Sequence, residues 1–135
     1  DMKGDNETMQ KVIPMQLDIL RRAEQMGRDL EVVIGIPNAD VLSYLMNYPD
    51  YQNVPSLCEL GVDDVRTANS RYWAPRWTLG TQNDLVTQMH MEGRQAVTWT
   101  IDQPAWIEKY MKEGTFDGML TNFPYVVAFY HFSQN

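Results

Sequence analysis

The side chains able to do chemistry gather in a few short segments. Arg71-Tyr72-Trp73-Ala74-Pro75-Arg76-Trp77 interleaves two guanidinium groups with three aromatic rings. Ring faces attract cations, and a guanidinium forks onto phosphate oxygens, so this segment suits a polar, phosphorylated headgroup. Taken by itself it suits equally well an aromatic loop packed over the end of a core. Trp99-Thr100-Ile101-Asp102 closes one β-type run, and Asp117-Gly118-Met119-Leu120-Thr121-Asn122 closes another a helix-length later. Asp117 is expected to hold the turn around Gly118, and Asn122 to cap the helix that follows. Asp1 and Lys3, on their own, are solvated charges at a chain end. His90 lies between methionines and His131 near the C-terminus, and neither is read as catalytic. The lone Cys58 excludes an internal disulfide and a thiolate zinc site. Between apolar neighbours it is a small core residue, and it does not settle the compartment.

Those segments need a scaffold, and the chain alternates β-type runs with helical patterns, the signature of β–α units and a parallel sheet. Helical spacing predicts a first helix over 7–26, with Val12, Met15, Ile19, Leu20, Ala23 and Met26 inward. Pro14 suits only a first turn, so the regular helix is expected from about Ile13. Leu30 to Ile36 predicts a buried strand, and Asn38 the cap of a helix over 39–47 that buries Val41, Leu42, Leu45 and Met46. A loop over 48–55 leads to one helical turn over 56–60 and a weak strand over 62–68. A long aromatic loop over 69–80 precedes a helix over 81–92 stopped by Gly93. A strand over 95–101, a helix over 103–113 capped by Asp102, a strand over 116–121 and a helix from Pro124 to about Phe132 complete the pattern. A doubly wound sheet and part of a (β/α)8 barrel both satisfy it.

Composition narrows the function classes. The 135 residues make one domain, or part of a larger one, and 44% hydrophobic residues is ordinary for a globular chain. A net charge of −7 argues against a nucleic-acid groove, which needs a basic face. No apolar run approaches the ~20 residues of a membrane span. No signal peptide is read at the start, and residue 1, which is not Met, is expected to be a processing boundary.

Trp99-Thr100-Ile101-Asp102 followed by Gly114-Thr115-Phe116-Asp117-Gly118-Met119-Leu120-Thr121-Asn122-Phe123-Pro124 resembles the end of the glycerophosphodiester phosphodiesterases. In that family the seventh strand ends in W-T and the eighth reads D-G-[IVML]-[IL]-T-[DN]-x-P. Asp1-Met2-Lys3 is similar to the family's E-[IL]-K at the end of the fourth strand, with Asp for Glu. Leu30 to Ile36 falls at the fifth strand, with Gly35 where a serine is frequent, and Arg71 to Trp77 at the sixth. The resemblance therefore implies that residues 1–135 are the C-terminal part of a TIM barrel, strands four to eight. No H-R-G segment and no E-N-T or E-x-D block occurs, and these carry the family's acid/base histidines and most of its metal-binding carboxylates.

The chemistry so implied is metal-dependent hydrolysis of glycerophosphodiesters, products of lipid metabolism, to glycerol 3-phosphate and an alcohol. A divalent cation neutralises phosphate charge and helps activate the nucleophile, and hard cations prefer carboxylate oxygens. Histidines titrating near neutrality suit the proton transfers. By resemblance Asp1 is a ligand of a calcium or magnesium ion and Lys3 a phosphate contact. Trp99 faces substrate, with Trp73 and Arg71 in a neighbouring wall. The chain alone is expected to be inactive. The other reading is a non-catalytic half-barrel that binds a ligand or oligomerises. On either reading the chain's expected partners are a small-molecule phosphodiester and the N-terminal half of a barrel or a second copy, and the family resemblance favours a periplasmic or extracellular setting.

Overall fold

A computed structural model describes residues 6–28 and 32–133 of the chain. It forms two compact units, one running to Arg71 and one starting at Tyr72. The expected strand residues 1–3 lie outside the described residues.

The first unit opens with α1 (Asn6–Gln25), which continues through Pro14 instead of starting near Ile13. An interior proline loses one backbone bond and costs about 3 kcal/mol. What offsets it is a buried stripe of Met9, Ile13, Leu17 and Ala23. That stripe shares only Ala23 with the expected one: Val12 and Leu20 are half-buried, and Met15, Ile19 and Met26 are exposed. At 100° per residue the two stripes are roughly a third of a turn apart. Both are apolar, so periodicity alone could not choose the inner one.

β1 (Ile34–Ile36) pairs in parallel with β2 (Ser56–Cys58), Ile34 opposite Ser56 and Ile36 opposite Cys58. Between them stands α2 (Ala39–Leu45), where Asn38 Oδ1 accepts from Val41 N at 2.9 Å, the expected cap. Val41, Leu42 and Leu45 are buried as expected, but Met46 is exposed. The loop that follows contains a 3-10 turn, Pro49–Asn53.

Two expectations are exchanged here. Residues 56–58 are a strand, not a helical turn, and α3 (Val62–Thr67) is a helix, not a strand. A three-residue strand is too short to show its period. In α3 the β-branched residues misled, while the buried pair Val65 and Ala68 has helical spacing. Asp63 and Asp64 in the first turn suit the positive end of the helix dipole. Tyr51 Oη donates to the Ala68 carbonyl at 2.5 Å, satisfying a group the end of α3 leaves open. Cys58 is buried, as expected, and burial pushes its thiol up to about 11.

The second unit contains β3 (Tyr72–Trp73), β4 (Gln95–Thr98) and β5 (Gly118–Met119). β4 pairs in parallel with β3 and with β5. A strand therefore interrupts the expected aromatic loop. Its core residues Trp73 and Ala74 are buried with Ala96 and Thr98. α4 (Asn83–Met91) joins β3 to β4 and buries Val86 and Met89. Gly93, at φ +73°, ends α4 as expected: its N–H reaches His90 O, and Arg94 N reaches Met89 O at 2.9 Å.

α5 (Pro104–Glu113) starts with proline at its first position and ends at Gly114. A Cβ at Gly114 would lie 2.6 Å from the Tyr110 carbonyl, so only glycine fits there. α6 (Pro124–Ser133) packs Val126, Val127 and Tyr130 against Ile101, Ile107 and Tyr110. Five strands thus lie between Ile34 and Met119, one more than the resemblance placed in that stretch.

Candidate functional site at the carboxyl ends of β3, β4 and β5

Parallel pairing sends the three strands of the second unit out at one end, and their hydrogen bonds continue past the regular ladder. Trp77 N donates to Trp99 O at 3.1 Å, Leu120 N to Thr98 O at 2.8 Å, and Ile101 N to Leu120 O at 3.1 Å. Buried Thr98 adds a bond from Oγ1 to Pro75 O at 3.1 Å. The segments 74–77, 99–102 and 120–122 are thereby fixed side by side. In an open or closed α/β sheet this is the end where ligands bind.

Trp99 is half-buried there, following the strand as its position predicted, and the Trp99–Thr100 peptide is cis. Its Nε1 donates to Ala74 O at 2.7 Å, which fixes the ring plane. The exposed Arg76 lays its guanidinium over that ring, Cζ 4.9 Å from the centroid. A cation held on an aromatic face in this way is pre-oriented and still has N–H groups for an anion. Below it Trp77 stacks at a tilt on Trp106, centroids 5.0 Å apart, and its carbonyl accepts from Tyr110 Oη. Burial raises the Tyr110 phenol above its ordinary value, which keeps it a donor.

Asp102 does not cap α5; the residue before Pro104 is Gln103, whose side chain makes no cap bond. Instead its carboxylate spans to the end of β5. Oδ1 accepts from Asn122 N at 2.8 Å and from Thr121 Oγ1 at 3.1 Å, and Oδ2 from Asn122 Nδ2 at 2.9 Å. The Asn122 backbone and side-chain donors hold the Asp102 carboxyl below its usual range, with a smaller push from Thr121. Asn122 is thus committed to Asp102, and it is Thr121 Oγ1 that accepts from Phe123 N, at 3.0 Å, on the way into α6.

At the opposite, amino end, Asp117 is structural as expected, through wider contacts than one turn. Its Oδ2 accepts from Ala96 N at 2.6 Å and lies 2.9 Å from His90 Nε2. A carboxylate can only accept, so His90 Nε2 carries the hydrogen. One carboxylate therefore ties α4, the start of β4 and the approach to β5 together.

Of the residues singled out in the sequence, the structure brings Trp99 to this end. Trp73 is 3% exposed within β3, a core ring with no face open to a ligand. Arg71 is exposed and belongs to the first unit. Asp1 and Lys3 lie outside the described residues. Arg76 takes the guanidinium position beside Trp99, and only its place in the aromatic segment pointed to it. The Asp102 bridge went unseen because an aspartate before Gln-Pro reads locally as a cap. Among the described residues no group of three His, Cys, Asp or Glu side chains could hold a metal ion. Asp102 is engaged through both carboxylate oxygens and Asp117 through Oδ2. Among the described residues no helix is long and apolar enough to cross a membrane.

No protein-family model matches the sequence, and no curated protein does. Solved structures do. A glycerophosphodiester phosphodiesterase from Parabacteroides distasonis superposes with a TM-score of 0.73 at 15% identity, over 99% of this chain and 56% of that one. A phosphodiesterase from Oleispira antarctica, solved in complex with the product sn-glycerol-3-phosphate, gives 0.75 at 10% identity, over 96% of this chain and 52% of that one. At such identities the likeness is one of fold. The chain has the fold of part of a (β/α)8 barrel, and it spans about half the length of these structures.

Proposed function

We propose that this chain is the carboxyl-terminal part of a phosphodiesterase barrel that hydrolyses glycerophosphodiesters to glycerol 3-phosphate and an alcohol. The observation that carries the reading is the Arg76–Trp99 pair. It stands at the carboxyl end of parallel strands, in a fold matched over nearly the whole chain by phosphodiesterases. In this reading the Arg76 guanidinium binds phosphate oxygens, and the Trp99 ring packs against the glycerol carbons. Asp102 holds the 99–102 and 120–122 segments in register, so that the strand ends beside Trp99 keep their geometry. Lys3 adds a second cationic contact to the phosphate.

The described residues do not supply a cation site, so no step is assigned to a metal through them. A calcium or magnesium ion, which would neutralise phosphate charge when bound, takes its ligands from carboxylates beyond them, Asp1 included. The proton-transferring histidines likewise come from elsewhere in a barrel. We place the protein outside the cytoplasm, a setting with which one buried thiol is compatible.

The experiment is direct: glycerophosphocholine is incubated with this chain and added calcium or magnesium, and glycerol 3-phosphate is measured. The chain alone gives no turnover above buffer. Turnover would refute the division of labour. The second reading is a non-catalytic binding module. It predicts that glycerol 3-phosphate binds with no dependence on divalent cation, in an Arg76-dependent way.

A further inference from the structure

We infer that Thr98 is a positioning residue: its buried hydroxyl fixes the turn that lays the Arg76 guanidinium over the Trp99 ring. The inference deepens the reading of Arg76 as a phosphate contact and rests on it for its consequence in binding.

β3 and β4 are in register with Trp73 opposite Ala96, and the same register returns further along, at an isolated bridge between Arg76 and Trp99. Between those points the ladder is interrupted. Pro75 lies in the gap, and a proline has no N–H to donate to a neighbouring strand. Backbone pairing is therefore weakest immediately before the residue that carries the cation. Two side chains close the gap. Thr98 Oγ1 donates to Pro75 O at 3.1 Å, and Trp99 Nε1 donates to Ala74 O at 2.7 Å. Consecutive side chains after Val97 thus hold consecutive carbonyls of the turn. Successive side chains along a strand point to opposite faces, so the two bonds hold the turn from both sides of the sheet. Past the gap, the bond from Trp77 N to Trp99 O takes up the ladder again.

The two donors have different access to a ligand. Trp99 is half-buried, and its ring carries Arg76 with Cζ 4.9 Å from the centroid. Thr98 is buried with Ala96, two residues earlier, on the face turned away from Trp99. It touches no ligand at the strand ends and acts only through the segment it holds. A valine would pack as well on that face. What threonine adds is a hydroxyl, and a buried hydroxyl needs the acceptor that Pro75 O supplies. A guanidinium stays stacked only if both the ring and its own backbone are held. The bond to Ala74 O holds the ring, and the bond to Pro75 O holds the backbone one residue before Arg76.

Proton NMR of Arg76 tests the placement. Side-chain protons next to a guanidinium that lies over an indole face resonate upfield of their ordinary positions. The parent chain should show that shift at Arg76, and Thr98→Val should lose most of it. Valine is β-branched like threonine, so the strand is kept and the hydroxyl alone is removed. Thr98→Ser, which keeps the hydroxyl, should retain the shift. Glycerol 3-phosphate is then titrated into each chain. Thr98→Val should weaken binding by about two- to tenfold, the range for one hydrogen bond. It should have no further effect in a chain that already carries Arg76→Ala. Should Thr98→Val not fold, Thr98→Ala removes the same hydroxyl and is read in the same way. An undiminished Arg76 shift in the chain without the hydroxyl overturns the inference. So does a weakening of equal size with and without Arg76, which is the mark of general damage to the fold. If the parent binds glycerol 3-phosphate no better than Arg76→Ala does, the phosphate reading of Arg76 fails. Loss of the ring shift in Thr98→Val then still upholds Thr98 as the residue that positions Arg76, and its persistence still overturns it.

Discussion

Replacing Asp117 by alanine tests how the second unit is held together. The carboxylate accepts one bond from a backbone N–H, Ala96 N at 2.6 Å, and one from His90 Nε2 at 2.9 Å. A hydrogen bond to a charged acceptor contributes about 1.5–3 kcal/mol, and losing it leaves a part-buried donor without a partner. The His90 contact is between groups about a third exposed, 37% and 32%, so it contributes less, about 0.2–1 kcal/mol. Asp117→Ala should therefore cost about 2–3 kcal/mol, or roughly 8–12 °C in Tm for a chain of this size. Asp117→Asn keeps one neutral acceptor and should cost about 1 kcal/mol. His90→Ala should cost less than about 1 kcal/mol. All four tryptophans, Trp73, Trp77, Trp99 and Trp106, lie in the second unit. Urea unfolding followed by tryptophan fluorescence thus reads that unit alone. If His90→Ala proved as costly as Asp117→Ala, the imidazole pair and not the backbone bond would be the tie. If Asp117→Ala were neutral, the carboxylate would tie nothing.

The remaining predictions concern other parts of the chain. Ile13→Ala should cost about 2–4 kcal/mol and Met15→Ala under about 0.5 kcal/mol, because the first is buried in α1 and the second is exposed; equal costs in urea would reverse the assignment of faces. Cys58, with its thiol pushed up to about 11, should not react with a disulfide reagent at pH 8 until the first unit unfolds; rapid labelling of the native chain would contradict its burial. Asp102 has a folded-state value below the ordinary 3.8. Its contribution is therefore complete above that value and is lost as pH falls through the lower folded one. The Asn122 amide resonance should report this as a titration with its midpoint below 3.8; a midpoint above it would mean that the bridge is not formed. Asp102→Ala should release Asn122 and disorder the entry to α6, seen as faster amide exchange there.

Much of the fold was legible because the relevant interactions are local. Asn38 at a cap, Gly93 and Gly114 at helix ends, and Pro104 and Pro124 at helix starts act within one turn of backbone, so their spacing along the chain is enough. The Trp99–Asp102 and Asp117–Pro124 segments likewise announced adjacent strands. What local pattern could not decide was anything that depends on which neighbour is present. α1 has two apolar stripes, and only packing selects Ile13 over Met15. Residues 56–58 and 62–67 exchanged their expected states because three-residue strands have no measurable period. Trp73 and Arg76 lie in one aromatic segment. Alternation across β3 buries the first in the core, and the turn that follows lays the second over Trp99. Asp102 and Asn122, each a plausible cap by type, find one another across two strand ends. Side-chain chemistry is written in the sequence, but a carboxylate bonds to whichever donors the folded chain brings within 3 Å, and that is a property of three-dimensional neighbours.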